Sequence, residues 1–237
     1  MKTKALKYLV VLGVMVTIIF GLFVSDNNSY ALVSLVVVII SCVPIVVHFE
    51  KGKSSTRLIV LISTMVAISV AGRFLFAPIP FFKPVTAIVV LCGIYLGSES
   101  GFLVGGLSAL ISNFYFGQGP WTPFQMLAWG LIGFLAGIMA NPLKRSKIFL
   151  CIYGFISGIV YSLILDSWST LWIEGYFSVK RFLALSITAL PITLCYAISN
   201  VIFLLIIGKP LGSVLERIIK KYGILSRDRG DNFGKQL

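Results

Sequence analysis

Residues 113–129 concentrate groups able to hold a small molecule: Asn113, Gln118, Trp121, Gln125 and Trp129, set around Pro120 and Pro123. Two prolines this close cannot both sit inside a regular helix, and Gly117 and Gly119 permit tight turns, so a rigid turn is expected here. Gln125 and Trp129 lie four residues apart in the stretch that follows, which puts them on one helical face. Amides donate and accept hydrogen bonds, and indole adds one donor and a flat apolar surface. Such a set suits a neutral, partly polar organic ligand with amide or ring functions. A second aromatic segment, 76–84, contains Phe81, Phe82 and three prolines. Arg73 before it and Lys83 within it can neutralise an anionic group or reach lipid headgroups. A third, 166–181, holds Trp168, Trp172, Tyr176 and Phe177. Its acids, Asp166 and Glu174, are expected to pair with Lys180 or Arg181.

Catalytic and metal chemistry lack comparable material. The single histidine, His48, stands alone, and Cys42, Cys92, Cys151 and Cys195 are scattered without a CxxC pair. A zinc site needs clustered ligands, so neither a metal nor any other cofactor is expected. Gly52-Lys53-Ser54 imitates the end of a phosphate-binding loop, but Val47 occupies the position of the required first glycine. The chain therefore supplies no ATP site of its own. No acidic residue lies near the centre of an apolar stretch, so a carboxylate relay for protons or sodium also lacks its parts.

The elements that must position these groups are membrane helices. Of 237 residues, 58% are hydrophobic and 12% charged, about half the charge of an ordinary soluble domain. The apolar residues fall into eight blocks: 5–24, 30–48, 58–77, 85–96, 101–116, 124–140, 148–166 and 182–207. Crossing a bilayer takes about 20 residues, so these read as spans of an all-α integral membrane protein. The fourth and fifth are short and glycine-rich, and fit better inside a bundle than against lipid. The first block follows Lys2, Lys4 and Lys7, carries no obvious small-residue cleavage site, and is expected to be a retained span.

The basic residues orient the spans. Sixteen of the twenty Lys and Arg flank the chain ends or the loops after the second and sixth blocks, leaving Arg73, Lys83, Lys180 and Arg181 opposite. An excess of positive charge in short loops marks the cytoplasmic face, which places both termini inside and the aromatic segments outside. A cell-membrane, multi-pass chain follows, and the net charge of +12 reflects orientation rather than nucleic-acid binding. From Pro210 onward, apolar and basic residues alternate, as in an amphipathic helix on the inner leaflet; a solvated, partly disordered tail beyond Ser226 fits the sequence equally. All four tryptophans lie in or near the outer segments. An interfacial aromatic belt would appear at both faces, so a binding surface explains the asymmetry better.

Small residues recur at four-residue spacing: Gly101 with Gly105, Gly133 with Gly137, Gly154 with Gly158, and Ala67 with Ala71. Each pair lets another helix approach closely. The stretch from Met65 to about Ile207 resembles the substrate-binding S component of energy-coupling factor (ECF) vitamin transporters. The resemblance is carried by Ala67-Ile68-Ser69-Val70-Ala71, by the loop 78–84, and by the glycine-rich fifth block. That fifth block and the following run Gly117-Gln118-Gly119-Pro120-Trp121-Thr122-Pro123-Phe124-Gln125-Met126 look like the cobalamin-type branch. The resemblance implies a six-helix bundle that captures a vitamin from outside, a loop that covers the pocket, and docking through Ala67 and Ala71. The implied partners are a membrane coupling subunit and two cytoplasmic ATPases.

The expected organisation is a two-span extension (1–56), a six-helix substrate-binding domain (57–208) and a basic cytoplasmic tail (209–237). Arg73, Asn113, Gln118, Trp121, Gln125 and Trp129 would line or gate the pocket, and Phe81, Phe82 and Trp168 would close it. No catalysis is expected. The rival reading is a membrane-embedded enzyme acting on a lipid or prenylated substrate, which needs a nucleophile, a base or a metal cluster. A scaffold subunit, which would bind no small ligand, is a third.

Overall fold

The computed structural model describes residues 56–224, which are helical almost throughout. The helices are α1 (Thr56–Leu75), α2 (Val85–Leu96), α3 (Ser98–Phe116), α4 (Thr122–Ile138), α5 (Ala140–Arg145), α6 (Lys147–Glu174), α7 (Val179–Thr188) and α8 (Leu190–Tyr222). The predicted blocks 5–24 and 30–48, and the chain beyond 224, lie outside the described residues.

Three helices, α1, α6 and α8, are long and apolar enough to cross a membrane. At 1.5 Å per residue α1 measures ~30 Å, the thickness of a hydrocarbon core. The others are shorter. Their backs carry the surface a bilayer would cover: Ile148, Ile152 and Ile156 of α6, and Leu194, Ile198, Leu205 and Ile206 of α8, are exposed. A large exposed apolar surface of this kind belongs to lipid.

Helix α2 sits at the centre. Every residue in it except Tyr95 is buried, and α1, α3, α4, α6 and α8 all pack against it. With only apolar, hydroxyl and small side chains, it is apolar on all sides, as a helix enclosed by other helices must be. Its length of ~18 Å is too short to span alone, so it forms the interior post of the bundle.

Glycines set the spacing around that post. A Cβ on Gly93 or on Gly101 would overlap the backbone of Gly133, and one on Gly133 would overlap the backbone of Gly101. Helices α2, α3 and α4 therefore touch backbone to backbone. A side chain on Gly105 would run into Trp129, one on Gly137 into Ser98, and one on Gly158 into Ala197 of α8. The glycine pairs thus serve packing within the bundle. Ala67 and Ala71 differ: both are exposed on α1, beside the exposed Val60, Ser63, Thr64 and Ile68.

Proline and capping residues set the ends. Pro123 opens α4 and Pro191 opens α8, where a missing N–H costs nothing. Ser146 caps α6 by accepting from the Phe149 N–H at 3.3 Å, and α6 stops at Gly175 with φ 74°. The predicted single block 182–207 is two helices, α7 and α8, broken at Ala189, because the Pro191 ring cannot follow a continuing helix. Helix α8 then runs unbroken through Pro210 to Tyr222. Its last turns pack against the bundle: Arg57 Nη1 donates to the Tyr222 carbonyl at 2.7 Å, and Lys144 lies 4.0 Å from the Glu216 carboxylate.

Gly133→Leu should lower the thermal midpoint of detergent-purified protein, since overpacking a close contact costs about 1–3 kcal/mol. Ala67→Leu, on an exposed face, should change stability by less than about 0.5 kcal/mol. Equal midpoints for the two variants would contradict the backbone contact at Gly133.

Candidate functional site

One end of the bundle holds a cavity of about 260 Å³ beneath the loop that joins α1 to α2. Arg73, Pro80, Phe81, Lys83, Thr86, Phe116, Trp129, Tyr161, Tyr196 and Asn200 are among the residues that line it. The site is assembled by the ends of α1 and α3, the start of α2, the middles of α4 and α6, and the first third of α8.

Arg73 sits in the last turn of α1. Its Nη1 donates to the Ser112 hydroxyl and, at 2.8 Å, to Asn113 Oδ1. The guanidinium carbon lies 4.5 Å from the Phe116 ring centre and 5.3 Å from that of Trp129. A half-buried guanidinium flanked by two π faces and anchored at one nitrogen is held in a single orientation.

Behind it runs a chain of amides. Asn113 Nδ2 donates to Gln125 Oε1 at 2.8 Å and to Thr122 Oγ1 at 3.0 Å. Gln125 Nε2 continues to the Tyr161 hydroxyl at 3.2 Å. Asn113 and Gln125 are both buried. These amides therefore fix Arg73 and Tyr161 from behind and do not line the cavity. The structure places both amides, expected from the sequence to meet a ligand, behind the wall, bonded to Arg73, Thr122, Tyr161 and each other.

The aromatic wall is continuous. Trp129 stacks on Tyr161 with centroids 5.1 Å apart at 19°, Tyr161 meets Tyr196 edge-on at 5.2 Å, and Phe81 meets Tyr196 edge-on at 5.7 Å. Trp129 Nε1 donates to Thr86 at 3.3 Å, which fixes the indole plane. Phe81 adopts φ 58°. That region is uncommon for a bulky side chain, and the prolines at 78, 80 and 84 restrain the segment that holds it there.

Lys83 is bound by its own loop. Its ammonium donates to the carbonyls of Phe76, Ala77 (3.2 Å) and Ile79 (2.7 Å), and its backbone N–H donates to Ser199 of α8 at 3.1 Å. Burial, and next the charge of Arg73, hold this ammonium below the ordinary lysine pKa.

Of the predicted site residues, Arg73, Phe81 and Trp129 line the cavity. Gln118 braces the turn instead, donating to the Leu110 carbonyl at 2.8 Å and accepting from Thr122 at 2.9 Å. Trp121 covers Gly119 and meets Trp168 at 5.7 Å, in a ladder that continues to Trp172 at 6.1 Å. Phe82 packs on Phe203 at 4.8 Å, away from the opening. Neither Gln118, Trp121, Trp168 nor Phe82 lines the cavity. Glu174 pairs with Arg181 at 2.6 Å. Sequence reasoning missed Tyr161, Tyr196, Thr86 and Asn200. The available signal was polar residues inside apolar blocks, with Tyr196 and Asn200 one turn apart.

A family model for the ECF-type riboflavin transporter S component matches residues 53–217. The chain belongs to that family. It is thus a substrate-specific membrane subunit of an ECF transporter, in a family of transport proteins and not of enzymes. The match lends no support to the cobalamin-type branch suggested by the run 117–126. Local geometry accounts for that run: Gly117 has φ 103°, Gly119 lies under the Trp121 ring, and its N–H is taken by Thr122 at 3.3 Å. The two predicted spans 5–24 and 30–48 precede the matched region. No solved structure matches the chain. Among the described residues no group of three His, Cys, Asp or Glu can hold a metal.

Asn113→Leu should destabilise the protein by about 1–3 kcal/mol, the cost of stranding buried polar partners. Gln118→Ala, at an exposed brace, should cost well under half of that. Thermal unfolding in detergent checks both, and similar losses would contradict a buried relay.

Proposed function

We propose that this chain captures a vitamin with a planar ring system, riboflavin being the first candidate, for ATP-driven import. The observation that carries the reading is the cavity itself: a continuous wall of Trp129, Tyr161, Tyr196 and Phe81, with Arg73 and Lys83 at its rim, under one loop. Flat aromatic walls with a few fixed polar groups suit a flat, partly polar ligand. The family match supports the transport role, and its printed description supplies the riboflavin candidate.

The cavity end faces outward, and both termini are cytoplasmic. Support comes from the positive charge collected at the opposite end, where Lys144, Arg145, Lys209, Lys220 and Lys221 lie. A membrane coupling subunit docks on α1 at Ala67 and Ala71, and two ATPase subunits drive the cycle. The exposed, small-residue face of α1 supports this, since the glycine pairs are spent inside the bundle. Segment 1–56 stands as an accessory pair of spans outside the matched region.

Titration of purified protein with riboflavin, followed by tryptophan fluorescence, tests the reading. Trp129→Ala should weaken binding at least about tenfold, the scale of losing a buried aromatic contact. Trp121→Ala, which is remote from the cavity, should bind nearly as wild type. Undiminished affinity in Trp129→Ala would contradict the site. Ala67→Leu with Ala71→Leu should still bind ligand yet fail to co-purify with a coupling subunit. Retained co-purification would contradict docking through α1.

A further inference from the structure

The cavity carries positive charge that a neutral ring such as riboflavin leaves unused. Arg73 and Lys83 both face it, and none of the described residues that line it is acidic. Both hydrogen bonds from Arg73 to described residues leave from Nη1, so the other guanidinium donors are uncommitted among those residues. The groups around Arg73 are hydroxyl, amide and aromatic, and none carries a negative charge. Among the described residues the Lys83 ammonium is held by neutral carbonyls. Two cations beside one apolar-walled space, with no counter-ion among the described residues, form an electrostatic deficit that an entering anion would fill.

We infer that the cavity selects a planar aromatic ligand carrying a carboxylate or phosphate, with the ring on Trp129 and Tyr161 and the anion between Arg73 and Lys83. The inference rests on the capture role proposed above and narrows its substrate class. Arg73 is suited to it because the free side of a guanidinium presents paired donors to an oxyanion, and its bonds to Ser112 and Asn113 fix the direction of that side. The amides that would read a neutral ligand, Asn113 and Gln125, are occupied behind the wall.

Two matched pairs separate charge from shape. Pyridine-3-carboxylate and its neutral amide differ in a carboxylate on one small ring, and riboflavin 5′-phosphate and riboflavin differ in a phosphate. Each compound is titrated into detergent-purified full-length protein by calorimetry. In at least one pair, the anionic member should bind at least about tenfold tighter, the scale of one charge-assisted hydrogen bond. The pair that shows the preference identifies carboxylate or phosphate. Arg73→Gln should reduce the preference to within about threefold, and Arg73→Lys, which keeps the charge but loses the paired donors, should fall between Arg73→Gln and wild type. If Arg73→Gln does not fold, Lys83→Gln supplies the second reading and should also shrink the ratio. Binding with no preference for the anion in either pair would overturn the inference and leave the capture role standing. Binding of none of the four compounds would overturn both.

Discussion

The cavity end of this bundle depends on the placement of one half-buried cation. A guanidinium inside a membrane bundle is costly unless its donors and its charge are met. Arg73 meets part of that requirement with a hydroxyl, an amide and two aromatic faces, and its remaining donors stay open toward the cavity. The consequence spreads through Asn113 to Thr122, Gln125 and Tyr161, so that α1, α3, α4 and α6 are tied to one polar chain. Polar chains of this kind are stable when each member is satisfied, and they specify one arrangement of the helices around them. The aromatic wall inherits its position from that chain, since Trp129 and Tyr161 flank it on neighbouring helices.

Close backbone contact is the second constraint, and it makes the first possible. With α2, α3 and α4 touching at Gly93, Gly101 and Gly133, the short helix α2 is wholly enclosed. Enclosure leaves the ends of α1 and α3 near enough for Arg73 to reach Asn113. The loop 76–84 then closes over this end, with Lys83 drawing three of its carbonyls together and Ser199 securing it to α8. The same residues thus shape the roof and supply half of the positive charge beneath it.

Much of the fold was legible in the sequence, because spans are long apolar blocks and small-residue pairs are visible at fixed spacing. The 85–96 block coincides with α2, and the glycine pairs lie where helices meet. The break at Ala189 was not read, although Pro191 announces it. The site was only partly legible. Arg73, Phe81 and Trp129 stood out by type, yet Tyr161 and Tyr196 are ordinary members of apolar blocks until two distant helices bring them together. Conversely, Gln118, Trp121 and Trp168 form a conspicuous cluster, but their spacing serves a turn and an aromatic ladder. Type and spacing along a chain report which groups can bind. Only the packing decides which of them face an empty space and which face each other.

The most direct test of the central claim is native mass spectrometry of the full-length protein purified in mild detergent, comparing wild type with Trp129→Ala. The account predicts that wild type retains a ring-containing small molecule which the variant has lost, at equal folded yield. A molecule retained equally by both proteins, or a wild-type protein that stays empty when riboflavin and its phosphate are supplied, would contradict capture in this cavity.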